Sequence, residues 1–128
     1  MIAYLDTSAA MKLLVDEQES VSLLSYLQTA DLELVASWLL HTELHCAVNR
    51  HPDDIDVDSV TVVLDVVTLV DLTRGDLLTA GALPGRLRSN DAIHLATALR
   101  VGADELVSYD VELAAAARLA GLGVVQPA

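Results

Sequence analysis

Short apolar runs that end at an acidic side chain alternate with helical segments along this chain, and this alternation limits the folds open to it. The run 2–5 ends before Asp6, and the run 106–109 ends before Asp110. Runs this short and apolar are typical of buried strands. Strands that alternate with helices pair in parallel, and right-handed crossovers bring their carboxyl ends to one edge of the sheet. The pattern therefore predicts a three-layer α/β/α sandwich with a central, mostly parallel sheet.

The 128 residues are predicted to form a single domain, 1–128, because no linker or repeat divides them. A helix capped by Asp53 or Asp54 and running to Val66 competes with a strand there, because its residues are largely β-branched. Thr73 is predicted to cap the next helix, which runs to Leu83. The predicted strands are 2–6, 33–36, 68–72, 105–108 and 124–125, and the remaining helices are 8–15, 19–29, 37–49, 89–101 and 111–120.

The chain is strongly acidic, with a net charge of −12 from nineteen acids against seven Lys and Arg. Taken alone, this charge argues against nucleic-acid binding, which normally needs a basic face. It favours a basic partner, a bound cation, or both. The single cysteine, Cys46, and the absence of a signal-peptide pattern or membrane-length apolar run favour a cytoplasmic setting.

Two further acids, Glu43 and Asp91, interrupt helical segments that are otherwise apolar. A carboxylate is costly to bury unless something pairs with it, and a divalent cation is the simplest partner for all four acids. Each acid also has a plainer explanation. Asp6 and Asp110 can cap helices, Asp91 suits the first turn of a helix capped by Ser89 or Asn90, and Glu43 can be a surface acid. The expected meeting of all four at one edge is what favours a functional site.

The histidines are predicted to have structural rather than catalytic roles. His41 and His45 have the i, i+4 spacing of a metal pair, but no Glu follows His41, so the zinc-protease pattern is absent. We predict that both lie at the surface or an interface. His94 is predicted to be packed and hydrogen-bonded to the backbone.

Four segments, in this order and spacing, resemble the PIN-domain ribonucleases and, among them, the VapC toxins of bacterial toxin–antitoxin pairs. They are YLDTSA at 4–9, TEL at 42–44, NDAIHLATA at 90–98 and LVSYD at 106–110. The closing AGLGV at 120–124 is also similar to the end of that family, and the resemblance covers essentially the whole chain. The segment 51–82 carries no matching motif.

The resemblance implies an endoribonuclease dependent on Mg²⁺ or Mn²⁺ that cleaves structured cellular RNA, forms a homodimer and is inhibited by a VapB-type antitoxin. The family's acidic quartet falls on Asp6, Glu43, Asp91 and Asp110, and hard oxygen ligands suit these ions. We expect Asp6, Asp91 and Asp110 to hold the metal, and Glu43 to bind a second ion or orient the attacking water. The assisting neighbours are Thr7, Ser8 and Asn90, and the candidate RNA contacts are Lys12, Arg86 and Arg88.

Three other classes remain as alternatives. A catalytically silent PIN-like module would use the acidic cleft only to bind a basic peptide. A phosphatase of the haloacid-dehalogenase type would need a second Asp two positions after Asp6, where Ser8 stands. A receiver domain would need a Lys late in the chain, but the only Lys is Lys12. Metal-dependent RNA cleavage separates the ribonuclease from all three.

Overall fold

The chain folds into a five-stranded sheet with helices in every connection between strands. The structure, a computed structural model, describes residues 1–29 and 31–128. The strands are β1 (Ile2–Leu5), β2 (Glu33–Ser37), β3 (Thr68–Val70), β4 (Glu105–Val107) and β5 (Gly123–Val125). The helices are α1 (Thr7–Leu14), α2 (Ser20–Leu27), α3 (Trp38–Arg50), α4 (Val57–Asp65), α5 (Arg74–Ala82), α6 (Ser89–Arg100) and α7 (Val111–Leu119).

The strand order is β3-β2-β1-β4-β5, and each neighbouring pair runs parallel. The chain moves outward from β1 to β3, then returns to β4 on the other side of β1. This reversal opens a crevice at the carboxyl ends of β1 and β4, where ligands of open α/β sheets bind. Leu5 pairs in register with Val107, so the residues that follow both strands begin at the same level. The predicted α/β/α fold is confirmed, and the sheet is parallel throughout the described residues.

Helices cover the sheet in two groups, α1 to α4 and α5 to α7, which pack mainly among themselves. Tyr4, Leu40, Leu95, Leu106 and Leu113 are fully buried between sheet and helices. Their burial removes aliphatic and aromatic area from water, which is the main force that holds the layers together. The small residues of α6, which include Ala96 and Ala98, let that helix lie close to the strands. The edge of the sheet at the carboxyl ends of its strands is therefore supported by a well-packed core.

An ion pair links α5 to α6, within the helix group α5 to α7. The carboxylate of Asp76 accepts a hydrogen bond of 2.7 Å from Arg100 and one of 3.1 Å from the backbone N–H of Thr73. Thr73 and Asp76 form a reciprocal capping box, which confirms Thr73 as the cap of α5. Burial acts to raise the pKa of Asp76, but the bonds from Arg100 and Thr73 outweigh it and leave the pKa lowered.

Two predicted helix caps are wrong. The segment 57–65 is helical, as favoured, but its cap is Asp56, whose side chain accepts from the N–H of Asp58 at 3.0 Å. Asp53 and Asp54 instead lie in a turn, in which the N–H groups of Asp54 and Ile55 donate to the carbonyl of His51, both at 3.1 Å. Helix α6 is preceded by Arg88, whose side chain makes no capping bond, so neither Ser89 nor Asn90 is its cap.

No helix within residues 1–29 and 31–128 has the length and apolar character needed to cross a bilayer.

Candidate active site

The four predicted acids come from four different elements that meet at the crevice. Asp6 follows β1 and caps α1, and Asp110 follows β4 and caps α7. Asp91 lies in the first turn of α6, and Glu43 lies in α3. The charges of Asp110, Asp6 and Glu43 all act on Asp91, so the structure brings the predicted quartet together.

Asp6 is the most enclosed of these acids, with 2 % of its surface exposed. Its carboxylate accepts hydrogen bonds from Ser108 Oγ at 2.6 Å, from Ser8 Oγ at 2.8 Å and from the backbone N–H of Ala9 at 2.9 Å. Burial is the largest influence and raises the pKa of Asp6, although these bonds act in the opposite direction. The side chain is therefore fixed in place, and its burial disfavours the ionised form.

Asp91 lies among like charges in a partly buried position. Burial, followed by the charges of Asp110 and Asp6, raises its pKa to about 6. Within the described chain no side chain or backbone group donates a hydrogen bond to its carboxylate. Partial burial beside like charges, with no compensating donor, marks a place where a cation would be stabilising.

Glu43 is held by three donors. Its Oε1 atom accepts from Thr7 Oγ1 at 2.8 Å and from His94 Nε2, and its Oε2 atom accepts from Asn90 Nδ2 at 2.8 Å. Burial acts to raise the pKa of Glu43, but the bonds from His94, Asn90 and Thr7 outweigh it and leave the pKa lowered. Glu43 is therefore an ionised carboxylate of fixed orientation.

His94 connects this carboxylate to the core, and its predicted backbone bond is wrong. The ring is fully buried, and its Nδ1 atom lies 2.7 Å from the hydroxyl of Tyr4. The Tyr4 oxygen accepts from the backbone N–H of Ser37 at 3.0 Å, which leaves the Tyr4 proton for Nδ1. We assign the remaining ring proton to Nε2, which donates it to Glu43. Both ring nitrogens of His94 therefore bond to side chains and not to the backbone.

The three predicted RNA contacts have different surroundings. Lys12 is paired with Glu17 and Glu19, both at 2.9 Å, and lies 4.8 Å above the ring of Tyr109. Its charge is therefore already compensated within the chain, which weakens its predicted role. Arg86 and Arg88 are exposed, and Arg88 lines a cavity beside Glu43.

His41 and His45 lie outside this cluster. Their rings stack at 4.2 Å between centroids, and His45 Nδ1 donates to the carbonyl of His41 at 2.7 Å. Trp38 extends the stack on the other side of His41, at 5.2 Å.

The acidic side chains at this edge are of the type that binds a hard divalent cation, but they are not positioned to coordinate one. In the ranges 1–29 and 31–128, no group of three or more Asp, Glu, His or Cys side chains is positioned to hold a metal ion as it stands. The carboxylate donors are nonetheless of the kind that Mg²⁺ and Mn²⁺ prefer. Burial is the largest cause of the raised pKa of Asp91, and repulsion from Asp110 and Asp6 adds to it. Such an ion would offset this repulsion. Binding would require rearrangement of these side chains.

Some residues that build the site were not singled out by the sequence. The Ser108 hydroxyl donates to Asp6, the Tyr4 hydroxyl bonds to His94, and the backbone N–H of Ser37 donates to Tyr4. Each stands inside or directly after an apolar strand, where a buried hydroxyl needs a partner. That position is the signal that could have identified them.

Comparisons with known proteins find matches over most of the chain. The sequence profile of the PIN domain matches residues 3–119. Ribonuclease VapC46 of Mycobacterium tuberculosis is 39 % identical over 130 residues, which are 97 % of this chain and 96 % of that protein. Ribonuclease VapC35 of the same species is 39 % identical over 132 residues, with the same shares. Among solved structures, VapBC2 from Rickettsia felis, bound to a DNA fragment from their promoter, aligns over 100 % of both chains with a TM-score of 0.80 at 16 % identity.

Proposed function

The chain belongs to the PIN-domain family and its VapC ribonucleases, and from this premise we propose that it is a metal-dependent endoribonuclease toxin neutralised by a VapB-type antitoxin. The observation that supports this most is the environment of Asp91. Its pKa is raised to about 6 by burial and by the charges of Asp110 and Asp6, at the crevice where the strand order reverses. Asp6, Glu43, Asp91 and Asp110 are the proposed catalytic residues.

Asp6, Asp91 and Asp110 would hold Mg²⁺ or Mn²⁺. The bound ion would supply charge stabilisation at the phosphoryl oxygens and a lowered pKa for bound water. Ser8 and Ser108 keep the Asp6 carboxylate in one orientation by donating to it. Such hydrogen-bonded support around a ligand fixes its direction and charge.

Glu43 is the proposed base. Its carboxylate is held by Thr7, Asn90 and His94 and is therefore available in one position. It would orient a water molecule for attack on phosphorus and accept a proton from it, while the bond from phosphorus to the 3′-oxygen breaks. The departing 3′-oxygen takes up a proton from solvent water, so the products carry a 5′-phosphate and a 3′-hydroxyl.

The substrate that we propose is structured cellular RNA, either tRNA or rRNA, whose cleavage inhibits translation. One structural neighbour, VapC20 of Mycobacterium tuberculosis, is described as a sarcin-ricin loop cleaving toxin. It shares 17 % identity with this chain at a TM-score of 0.76 and shows likeness of fold alone. We also propose a homodimer in the cytoplasm.

The purified protein is expected to cut total bacterial RNA into discrete fragments in Mg²⁺ or Mn²⁺, because the acidic cluster repels phosphate until a cation neutralises it. Gel electrophoresis followed by analysis of the fragment ends measures this, and 5′-phosphates are expected. EDTA should stop cleavage and added Mn²⁺ should restore it. Cleavage that continues at the same rate in EDTA would refute the metal dependence.

An apolar groove between α1, α2 and α4 is the proposed docking surface for the antitoxin. Its volume is about 330 Å³, and its apolar lining consists of Leu13, Leu24, Val62, Val63 and Val66. Leu24, Val62 and Val66 are 49 %, 67 % and 65 % exposed, which leaves apolar area that a partner can cover. The net charge of −12 favours a partner that carries basic residues beside its apolar face. An amphipathic antitoxin helix has this character.

Leu24→Asp is expected to weaken antitoxin binding at least about tenfold, because it places a charge in apolar surface that the bound antitoxin would cover. Co-expression with the antitoxin, followed by isothermal titration calorimetry, measures the loss. Leu119→Asp is the matched control, because Leu119 is 79 % exposed on α7, outside the groove. Equal affinity for the two variants would place the antitoxin elsewhere.

A further inference from the structure

A cavity of about 420 Å³ extends from Glu43 along α3. Cys46 and Arg50 line it at successive turns of that helix, and His51 lines it just beyond the helix end. Arg88 and Asn90, at the start of α6, also form its wall. The volume lies within the range of roughly 300–1,000 Å³ that is usual for ligand sites.

The charge of this cavity is opposite to that of the chain. The protein has nineteen acids and seven Lys and Arg, yet Glu43 is the one acid among the lining residues of this cavity. Its carboxylate is already bound by Thr7, Asn90 and His94. Arg50 and Arg88 are exposed, and within the described ranges neither forms an ion pair. Two uncompensated guanidinium groups and an imidazole therefore face the same cavity.

We propose that Arg50, His51 and Arg88 form a phosphate subsite that holds the RNA strand beside the catalytic carboxylates. This inference rests on the proposed ribonuclease function. Arg50 lies seven residues after Glu43 in α3, which is about 10 Å along the helix axis. It would therefore hold a phosphate next to the scissile one rather than the scissile phosphate itself.

The proposed subsite explains how a chain with a net charge of −12 could bind RNA. A cluster of carboxylates repels the phosphate backbone, and contacts from Arg supply most of the affinity of a protein for nucleic acid. Guanidinium groups bind phosphate oxygens through paired, charge-assisted hydrogen bonds. A basic cavity on the Glu43 side would anchor the strand and fix the direction in which it enters the site.

Arg50→Glu is expected to weaken RNA binding about tenfold and to lower the salt dependence of binding by about one ion. The probe is a short, fluorescein-labelled, single-stranded RNA of mixed sequence, titrated in Ca²⁺ at several KCl concentrations and followed by fluorescence anisotropy. Gels run in parallel check that the probe stays intact. Arg88→Glu should have the same effect.

Arg118→Glu is the matched control. Arg118, like Arg50, is exposed in the last turn of a helix, so its reversal makes the same change in net charge and in helix-end electrostatics. Circular dichroism checks that each variant folds, and Arg50→Gln provides a milder change if Arg50→Glu does not.

The outcomes separate the two proposals. Weaker binding by the Arg50 and Arg88 variants, with Arg118→Glu close to wild type, supports the subsite. If wild type binds and cuts RNA but Arg50→Glu and Arg118→Glu behave alike, the subsite is refuted and the ribonuclease stands. If wild type neither binds nor cuts RNA, the ribonuclease proposal fails and the subsite fails with it.

Discussion

Asp91→Asn is expected to reduce RNA cleavage at least about a hundredfold and, in metal-free buffer, to make the protein more stable. The activity falls because an amide carries no charge with which to hold the cation. The stability rises because burial, and then repulsion from Asp110 and Asp6, raise the pKa of Asp91 to about 6. A neutral amide avoids both the cost of burying a charge and this repulsion. A purely structural aspartate would show the reverse effect on stability.

The pH dependence of this gain follows from the sign of the shift. The pKa of Asp91 is higher in the folded protein than the ordinary value of 3.8, so the ionised form destabilises the fold. The penalty is absent below about pH 4, develops between about pH 4 and pH 6, and is complete above about pH 6. We expect it to reach about 1–2 kcal/mol at pH 7, after allowance for partial exposure.

Thermal unfolding of wild type and Asp91→Asn in EDTA, at pH 4 and at pH 7, measures the effect. The two proteins should differ little at pH 4, and the variant should be more stable by a few degrees at pH 7. Mn²⁺ should raise the unfolding temperature of wild type and leave the variant nearly unchanged. A variant that is less stable than wild type at pH 7 would contradict the electrostatic account of this residue.

His94→Leu is expected to lower the free energy of unfolding by about 2–4 kcal/mol and to reduce cleavage strongly. The substitution removes the donor to Glu43 and leaves the buried Tyr4 hydroxyl without its acceptor. Urea unfolding measures the stability, and total-RNA cleavage measures the activity. Tyr4→Phe is the matched variant, because it removes the hydroxyl but retains the bond from His94 to Glu43.

We expect His94 to act by positioning Glu43, and a double-mutant cycle separates this role from a general loss of stability. If His94 acts through Glu43, then His94→Leu should add little further loss of activity in a Glu43→Gln background, below the unfolding temperature of both. If the activity of the double variant falls by the product of the two single losses, His94 does not act through this carboxylate.

The position of the acidic site follows from the order of strands and helices along the chain, but the hydrogen bonds that hold its side chains do not. Asp6 and Asp110 each follow a buried strand, and right-handed crossovers leave few ways to keep them apart. The bond from His94 to Glu43 joins residues 51 positions apart, and the contact of Tyr4 with His94 joins residues 90 apart. No local pattern encodes such pairs, so a buried histidine could be predicted but its partners could not.

The sequence also could not show which of several similar residues would cap a helix. Asp53, Asp54 and Asp56 are all suitable caps, but Asp53 and Asp54 lie in a turn that follows α3, which leaves Asp56 as the cap. The pairing of Lys12 is different, because Glu17 and Glu19 are near in sequence. Both acids stand just beyond the end of α1, where the chain turns back toward the helix, and the helical i, i+4 rule does not cover that geometry.

The most direct test of the account is Mn²⁺ binding by wild type and Asp6→Asn, measured by isothermal titration calorimetry beside total-RNA cleavage by the same samples. The account predicts saturable Mn²⁺ binding and discrete RNA fragments for wild type, and the loss of both for a variant that remains folded. A folded Asp6→Asn protein that cuts RNA as fast as wild type would contradict it.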